Sequence, residues 1–349
     1  KDPQTAEQLL NDGVCDFVGV ARGHLADPNW VNKARDGKSD QIRKCIGCLN
    51  CFAELNQGRH TKCAVNARVG REIEFSDPNI DGEGKTVVVI GGGPAGMQAA
   101  LLLDQRKYRT ILIDEREKLG GTLNVADKAP IKEKVADMNN GMIREIEESG
   151  VDVRMNTKAT VEMVKELNPD GIFVAVGATP AIPPIPGIQG KNVMLAEDVL
   201  TGKSVATGRV AVIGSGLTGL ETAELLADKG HPITLVEMQK NIGPGINRTI
   251  LVDLMMRFQK HEPVIIPNHR LMGISENGIT IMNQMNNQVM QIEADTVVLA
   301  LGVAPRRSMV NEFLDAFENI RVIGDAEKAG RIQEAIKEGY SQAFAFTTK

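Results

Sequence analysis

Aromatic side chains account for only 3% of the 349 residues, with one tryptophan and two tyrosines. That scarcity removes the stacking platforms on which single-stranded nucleic acids are gripped. Positive charge is also in deficit. Against 45 Asp and Glu stand 40 Lys and Arg, a net charge of −5, which argues against nucleic acid as a partner. No apolar run approaches the roughly 18 residues of a membrane helix, and no secretory leader pattern is visible. The five histidines, His24, His60, His231, His261 and His269, form no metal-type pair, and no Ser-His-Asp arrangement occurs. No side chain is singled out as a catalytic acid, base or nucleophile. Cysteine is missing beyond Cys63, which excludes a redox-active disulfide in the rest of the chain. Such clustering of cysteine suits metal or redox chemistry and not a disulfide framework, and a cytoplasmic location is the expectation.

What the chain does contain is a pattern written twice. Thr86-Val-Val-Val-Ile90 reads as a buried strand that runs into Gly91, Gly93 and Gly96, then an apolar helix. This is the G-x-G-x-x-G spacing of a dinucleotide-binding βαβ unit. The glycines serve a tight turn, backbone approach to a pyrophosphate, and close helix–strand packing. The helix N-terminus then faces the anion with free N–H groups. A second strand, 108–113, ends at Asp114-Glu115, 23 residues after the first glycine and placed for a ribose. Val210-Ala-Val-Ile213 leads in the same way into Gly214, Gly216 and Gly219. Its second strand, 232–236, ends at Glu237, again 23 residues on. The strand ends Ala175-Val-Gly177-Ala-Thr-Pro180 and Ala300-Leu-Gly302-Val-Ala-Pro305 form another matching pair. Two copies at nearly one offset indicate duplicated α/β dinucleotide-binding domains. A carboxylate at Glu237, with Met-Gln-Lys after it and no arginine, favours NADH over its 2′-phosphorylated form.

Between residues 44 and 80 lie Cys45, Cys48 and Cys51, then Cys63. C-x2-C-x2-C with a distant fourth thiol fits a [4Fe-4S] cluster; structural zinc more often uses two separate C-x2-C knuckles. Cys15 lies outside the pattern and reads as a small buried residue. Residues 5–11 read as a helix and 16–20 as a strand, too little for a core. Gly121-Thr122 forms a glycine turn beside the first nucleotide. Residues 278–290 read as a hairpin, and Met255, Met256 and Met272 as core. Near the C-terminus Gly324-Asp325 ends a strand, placing a carboxylate for a flavin ribitol hydroxyl. The helix that follows, 332–346, points its N-terminus toward the ring.

With these motifs in place, the chain resembles the C-terminal half of the NADH:flavin oxidoreductases related to old yellow enzyme. That group includes 2,4-dienoyl-CoA reductase, enoate reductase, the bile-acid-inducible oxidoreductases and trimethylamine dehydrogenase. The most specific shared parts are the cysteine motif followed by Ala64-Val-Asn66-Ala-Arg-Val-Gly70-Arg-Glu72 and the paired glycine loops. The resemblance implies four regions. These are 1–43, the last strand and helix of a truncated (β/α)8 barrel; 44–80, the cluster segment; 81–204 with 307–349, the FAD domain; and 205–306, the NADH domain. It implies that FAD is held by Gly91, Gly93, Gly96, Asp114, Glu115, Gly121, Thr122, Ala175, Gly177, Gly324 and Asp325, and NADH by Gly214, Gly216, Gly219, Glu237 and Gly302. Arg22 corresponds to a residue that helps hold FMN phosphate, although Ala21-Arg22 replaces the family's Gly-Arg, and Asn66-Ala67 its commoner Asn-Pro. Electrons would pass from NADH to FAD, to the cluster and to FMN in a barrel that reduces an unsaturated substrate. A barrel needs about 250 residues, so the chain is expected to be a fragment. Two alternatives stay open, a trimethylamine-dehydrogenase-like protein with ADP in the FAD site and a glutamate-synthase-small-subunit-like module. Oligomeric state is open too, a homo-oligomer included.

Overall fold

The computed structural model describes residues 2–348. The chain forms two compact units, one from residues up to 124, 133–178 and 305 onward, the other from 125–132 and 179–304.

The first unit is built on a five-stranded parallel sheet in the order Ile320–Val322, Gly171–Val174, Thr86–Ile90, Arg109–Ile113, Asp152–Arg154. The central strands are near-continuous Val, Ile and Leu because helices cover both faces. Val87, Val88, Val89 and Ile111 are wholly buried. One face packs against Val164, Val310 and Phe313. On the other side runs helix Pro94–Gln105, which packs closely on helix Ile332–Phe344. Pro94 starts its helix, where a missing N–H costs nothing. Arg106, just past that helix, is 3% exposed at its side chain and pairs with Asp81. Its guanidinium also donates to the carbonyls of Ala343, Phe344 and Phe346. One cation thus ties the 76–85 connection to the end of the chain.

The second unit repeats the plan: a parallel sheet in the order Val193–Leu195, Thr296–Leu299, Val210–Ile213, Ile233–Val236, Val264–Ile266. An antiparallel sheet of His269–Ser275, Gly278–Asn283 and Val289–Glu293 accompanies it. The last two of those strands are the expected hairpin; the first is additional. Its register breaks between Leu271 and Gly273, which spoils the alternation that marks a strand in sequence.

Four expectations need correction. Residues 179–204 belong with the second unit and not with the first, because Val193–Leu195 pairs with Thr296–Leu299. Residues 16–20 carry no strand, since nothing among the described residues pairs with them, and Phe17 is 90% exposed. Met256 is 67% exposed, although Met255 packs on the core and Met272 is half-buried. Cys15 is half-buried. No described helix is long and apolar enough to cross a membrane.

Candidate functional site

Strand register sets the first nucleotide loop. Ile90 lies opposite both Ile113 and Val174, so the chain leaves the sheet at Gly91 level with Asp114 and Ala175. Gly91 has φ of 107°, and a Cβ there would stand 2.3 Å from the Ala175 carbonyl oxygen. At Gly96 a Cβ would stand 1.9 Å from the Gly91 carbonyl oxygen. Both positions therefore exclude every side chain. Asp114, 8% exposed, accepts the Gly92 N–H on Oδ2 at 2.6 Å and the Arg116 N–H on Oδ1 at 2.8 Å.

A cleft opens over this loop. Of the expected residues, Gly91, Gly93, Asp114, Glu115, Gly121, Thr122, Ala175, Gly177 and Asp325 line it. Gly96 and Gly324 do not. Gly96 packs beneath the loop, and the buried Gly324 gives its N–H to Glu338 at 2.8 Å. Asp325 takes the Gly330 N–H at 2.9 Å, and burial raises its carboxyl above the ordinary range. Burial also raises Glu338.

Arg116 and Arg306 line the cleft and were missed in sequence. Arg116 could have been found, standing two residues after the acid. Arg306 could not: it reaches across 191 residues to Glu115 at 2.8 Å. That bond holds the Glu115 carboxyl below its ordinary value.

The second loop repeats the first nearly atom for atom. Ile213 lies opposite Val236 and Leu299, which levels Gly214 with Glu237 and Ala300. Gly214 has φ of 100°, and its Cβ would stand 2.4 Å from the Ala300 carbonyl oxygen. The corresponding approach at Gly219 is 2.0 Å, to the Gly214 carbonyl oxygen. Gly216 has open space where a side chain would be, as a backbone that meets a ligand requires. Glu237, 4% exposed, accepts the Ser215 N–H on Oε2 and the Gln239 N–H on Oε1, both at 2.8 Å. Gly302 is exposed, with φ of 85°.

All four cysteines of the motif, Cys45, Cys48, Cys51 and Cys63, line one small cavity with Ile46, Leu49, Ala64 and Val65. Two left-handed residues, Gly47 at φ 73° and Leu49 at φ 56°, flank Cys48 and curl the loop back on itself. Leucine in that conformation costs about 1–2 kcal/mol. Backbone N–H groups face the sulfurs, from Asn50 at Cys48 and from Val65 and Asn66 at Cys63. Burial raises the Cys48 thiol, and it pushes Cys63 up to about 11. Arg43 docks this segment on two helices of the unit, bonding the Val65 carbonyl at 3.0 Å, Gln98 at 2.8 Å, and Glu145. Among the described residues, no three such side chains converge tightly enough for a single metal ion. Arg22, expected at an FMN phosphate, lines the cysteine cavity.

Residues 85–339 match the family model described as pyridine nucleotide-disulphide oxidoreductase. The chain belongs to that family. Membership makes it part of an oxidoreductase family whose paired Rossmann-like domains bind FAD and a nicotinamide dinucleotide. An NADH oxidase of Thermoanaerobacter brockii is 36% identical over 351 residues, covering 99% of this chain and 54% of the relative. A bilirubin reductase of Mediterraneibacter gnavus is 36% identical over 343 residues, covering 98% and 53%. Among solved structures, 2-naphthoyl-CoA reductase in complex with 2-naphthoyl-CoA superposes with a TM-score of 0.91 at 28% identity, covering 98% of this chain and 52% of that one. The chain thus spans about half the length of these relatives, as the C-terminal half of an old-yellow-enzyme-like NADH:flavin oxidoreductase does.

Proposed function

We propose that the chain is the electron-input part of an NADH-dependent flavin and iron–sulfur oxidoreductase. The observation that carries this reading is the meeting of Cys45, Cys48, Cys51 and Cys63 at one cavity, on the same compact unit as the first nucleotide cleft.

In this reading the cleft over Gly91 and Gly93 receives FAD. Asp114 accepts a ribose hydroxyl, and Asp325 accepts a ribitol hydroxyl with the carboxylate edge that Gly330 leaves free. The second loop receives NADH, with Glu237 on its ribose. The four cysteines hold a [4Fe-4S] cluster, a reading supported by their C-x2-C-x2-C spacing and the cavity they share. The N–H groups aimed at Cys48 and Cys63 stabilise thiolate charge. Ile46, Leu49 and the buried Val65 put apolar surface beside the thiols, and the strained Leu49 is the kind of outlier that persists at functional sites. When bound, these groups supply hydride transfer and its division into single electrons; the protein supplies binding, orientation and electrostatics.

The complete protein, on this proposal, carries an FMN barrel in the same chain that reduces a carbon–carbon double bond of an enoate or enoyl-CoA type substrate. The relatives named as bilirubin reductase and 2-naphthoyl-CoA reductase support an unsaturated substrate. Residues 1–43 are then the end of that barrel, with Arg22 toward the FMN phosphate, and 44–80 the cluster segment.

The deciding experiment is an anaerobic absorption spectrum before and after NADH, with iron and extracted nucleotide quantified. A flavin band bleached by NADH, about four irons per chain and released FAD are the expected result. Released ADP without a response to NADH would overturn it and favour the trimethylamine-dehydrogenase type.

A further inference from the structure

The two nucleotide loops differ where the second glycine-loop residue meets the acid. The first loop has Gly92, and a Cβ there would stand 2.4 Å from Leu119 Cδ2 and 3.2 Å from Asp114 Oδ2. No side chain fits. The second loop has Ser215 at the matching place, with no exposed surface at all. Its hydroxyl donates to Glu237 Oε2 at 2.7 Å, beside the Ser215 N–H that reaches the same oxygen at 2.8 Å. The same hydroxyl accepts the Gly243 N–H at 3.1 Å. One buried oxygen therefore joins the glycine loop, the acid and the segment that follows the acid.

Acceptor counting shows what the hydroxyl changes. A carboxylate offers roughly four acceptor positions. Asp114 uses one on each oxygen for backbone donors. Glu237 has both Oε2 positions taken, by Ser215 N–H and Ser215 O–H, and one Oε1 position taken by Gln239 N–H. Glu237 is thus fixed in orientation by three donors instead of two, and its second oxygen has a single position left for a ligand hydroxyl. A carboxylate held that way cannot turn aside from a nearby anion.

We propose that Ser215 is a positioning residue for coenzyme choice: by locking Glu237 it keeps a fixed negative charge at the ribose and so discriminates against a 2′-phosphorylated nicotinamide dinucleotide. The proposal rests on the reading of the second loop as the NADH site. Without the hydroxyl, Glu237 keeps two backbone donors and gains freedom to swing. The segment at Gly243 loses its tie to the loop, and the 2′-phosphate meets a carboxylate that can yield.

The test is equilibrium binding of NADH and of NADPH to the purified chain, its flavin reduced beforehand under anaerobic conditions so that no hydride transfer consumes the coenzyme, followed by nicotinamide fluorescence. It is made on wild type, Ser215→Ala, Ser215→Gly, Glu237→Ala and the Ser215→Ala/Glu237→Ala double variant. Ser215→Gly installs the residue that the first loop already carries, so it serves if the alanine variant misfolds. Ser215→Ala and Ser215→Gly are expected to lower the NADH-over-NADPH affinity ratio by about tenfold, the scale of one lost hydrogen bond to a charged group. In the Glu237→Ala background the serine substitution is expected to leave that ratio alone, because its effect passes through the carboxylate. A residue that only packs would lower both affinities together. An unchanged ratio in both serine variants overturns the proposal, as does an equal fall with Glu237 absent. A wild type that does not bind NADH, or a Glu237→Ala ratio equal to wild type, brings down the NADH reading itself and the proposal with it.

Discussion

Glu237 stands to the second glycine loop as Asp114 stands to the first. Each carboxylate takes a loop N–H on one oxygen, at 2.6 Å from Gly92 and 2.8 Å from Ser215. Each takes the N–H two residues further along on the other oxygen, at 2.8 Å in both. The acid therefore shapes its loop before any ligand arrives. Asp114→Asn turns an amide donor toward one of two backbone donors. It is expected to cut flavin per purified chain about tenfold or more, read from the visible absorbance, while NADH affinity stays at the wild-type value. Full flavin occupancy in the variant would mean that the first site does not depend on this carboxylate.

Gly96 and Gly219 let a helix start against its own strand turn. Alanine at either would place Cβ about 2 Å from a backbone oxygen, where no flexible side chain can give way. The expected cost is about 3 kcal/mol or more, concentrated at the loop concerned. Gly219→Ala should abolish NADH binding and leave bound flavin, and Gly96→Ala should do the reverse. Equal loss of both ligands in both variants would show that the loops are not separate sites.

The cysteine cavity makes a separable prediction. Cys48→Ser or Cys63→Ser is expected to lower iron from about four per chain to near zero, with flavin content unchanged, measured by iron assay and absorbance under anaerobic conditions. Leu49→Gly relieves a left-handed leucine without touching a thiol, so it should keep its iron. Iron retained in both serine variants would remove these thiols from the metal site.

Asp325 gives a pH signature. Burial raises its folded-state pKa above the ordinary 3.8, so the ionised form costs stability. That cost is fully present above the raised pKa and disappears as pH falls to the unfolded value. Asp325→Asn is therefore expected to raise the melting temperature of flavin-free protein at pH 7 by about 1–2 °C, and the gain should vanish toward pH 4. A destabilised variant at pH 7 would show that the Gly330 N–H bond outweighs burial. Flavin should nevertheless leave this variant more readily.

Much of this was legible in the residues because buried parallel strands advertise themselves. Thr86–Ile90 and Val210–Ile213 are unbroken apolar runs ending in glycine, and the 23-residue interval fixes where each acid falls. What escaped depends on pairing between distant segments. Val193–Leu195 is three residues long, too short for any period, and becomes a strand only beside Thr296–Leu299. Residues 16–20 have strand composition, yet a strand is a relation between two segments and no second one is present among the described residues. Leu49 adopts a glycine-like conformation that no residue type announces. The Arg306–Glu115 pair is invisible until the chain returns.

That return has a consequence for synthesis. The outer strand of the first sheet, Ile320–Val322, and the carbonyls at 343–346 that receive Arg106 are made after the second unit. The five-stranded and three-stranded sheets of the second unit have all their strands by Leu299. On the ribosome, then, the later-encoded nucleotide unit is complete while Gly171–Val174 still has an open edge, reversing the usual N-terminal-first order. A chain stopped at residue 304 should yield a protease-resistant core at 179–304 and a digestible remainder. The glycine loop at Gly91 has been made more than 200 residues before its sheet can close.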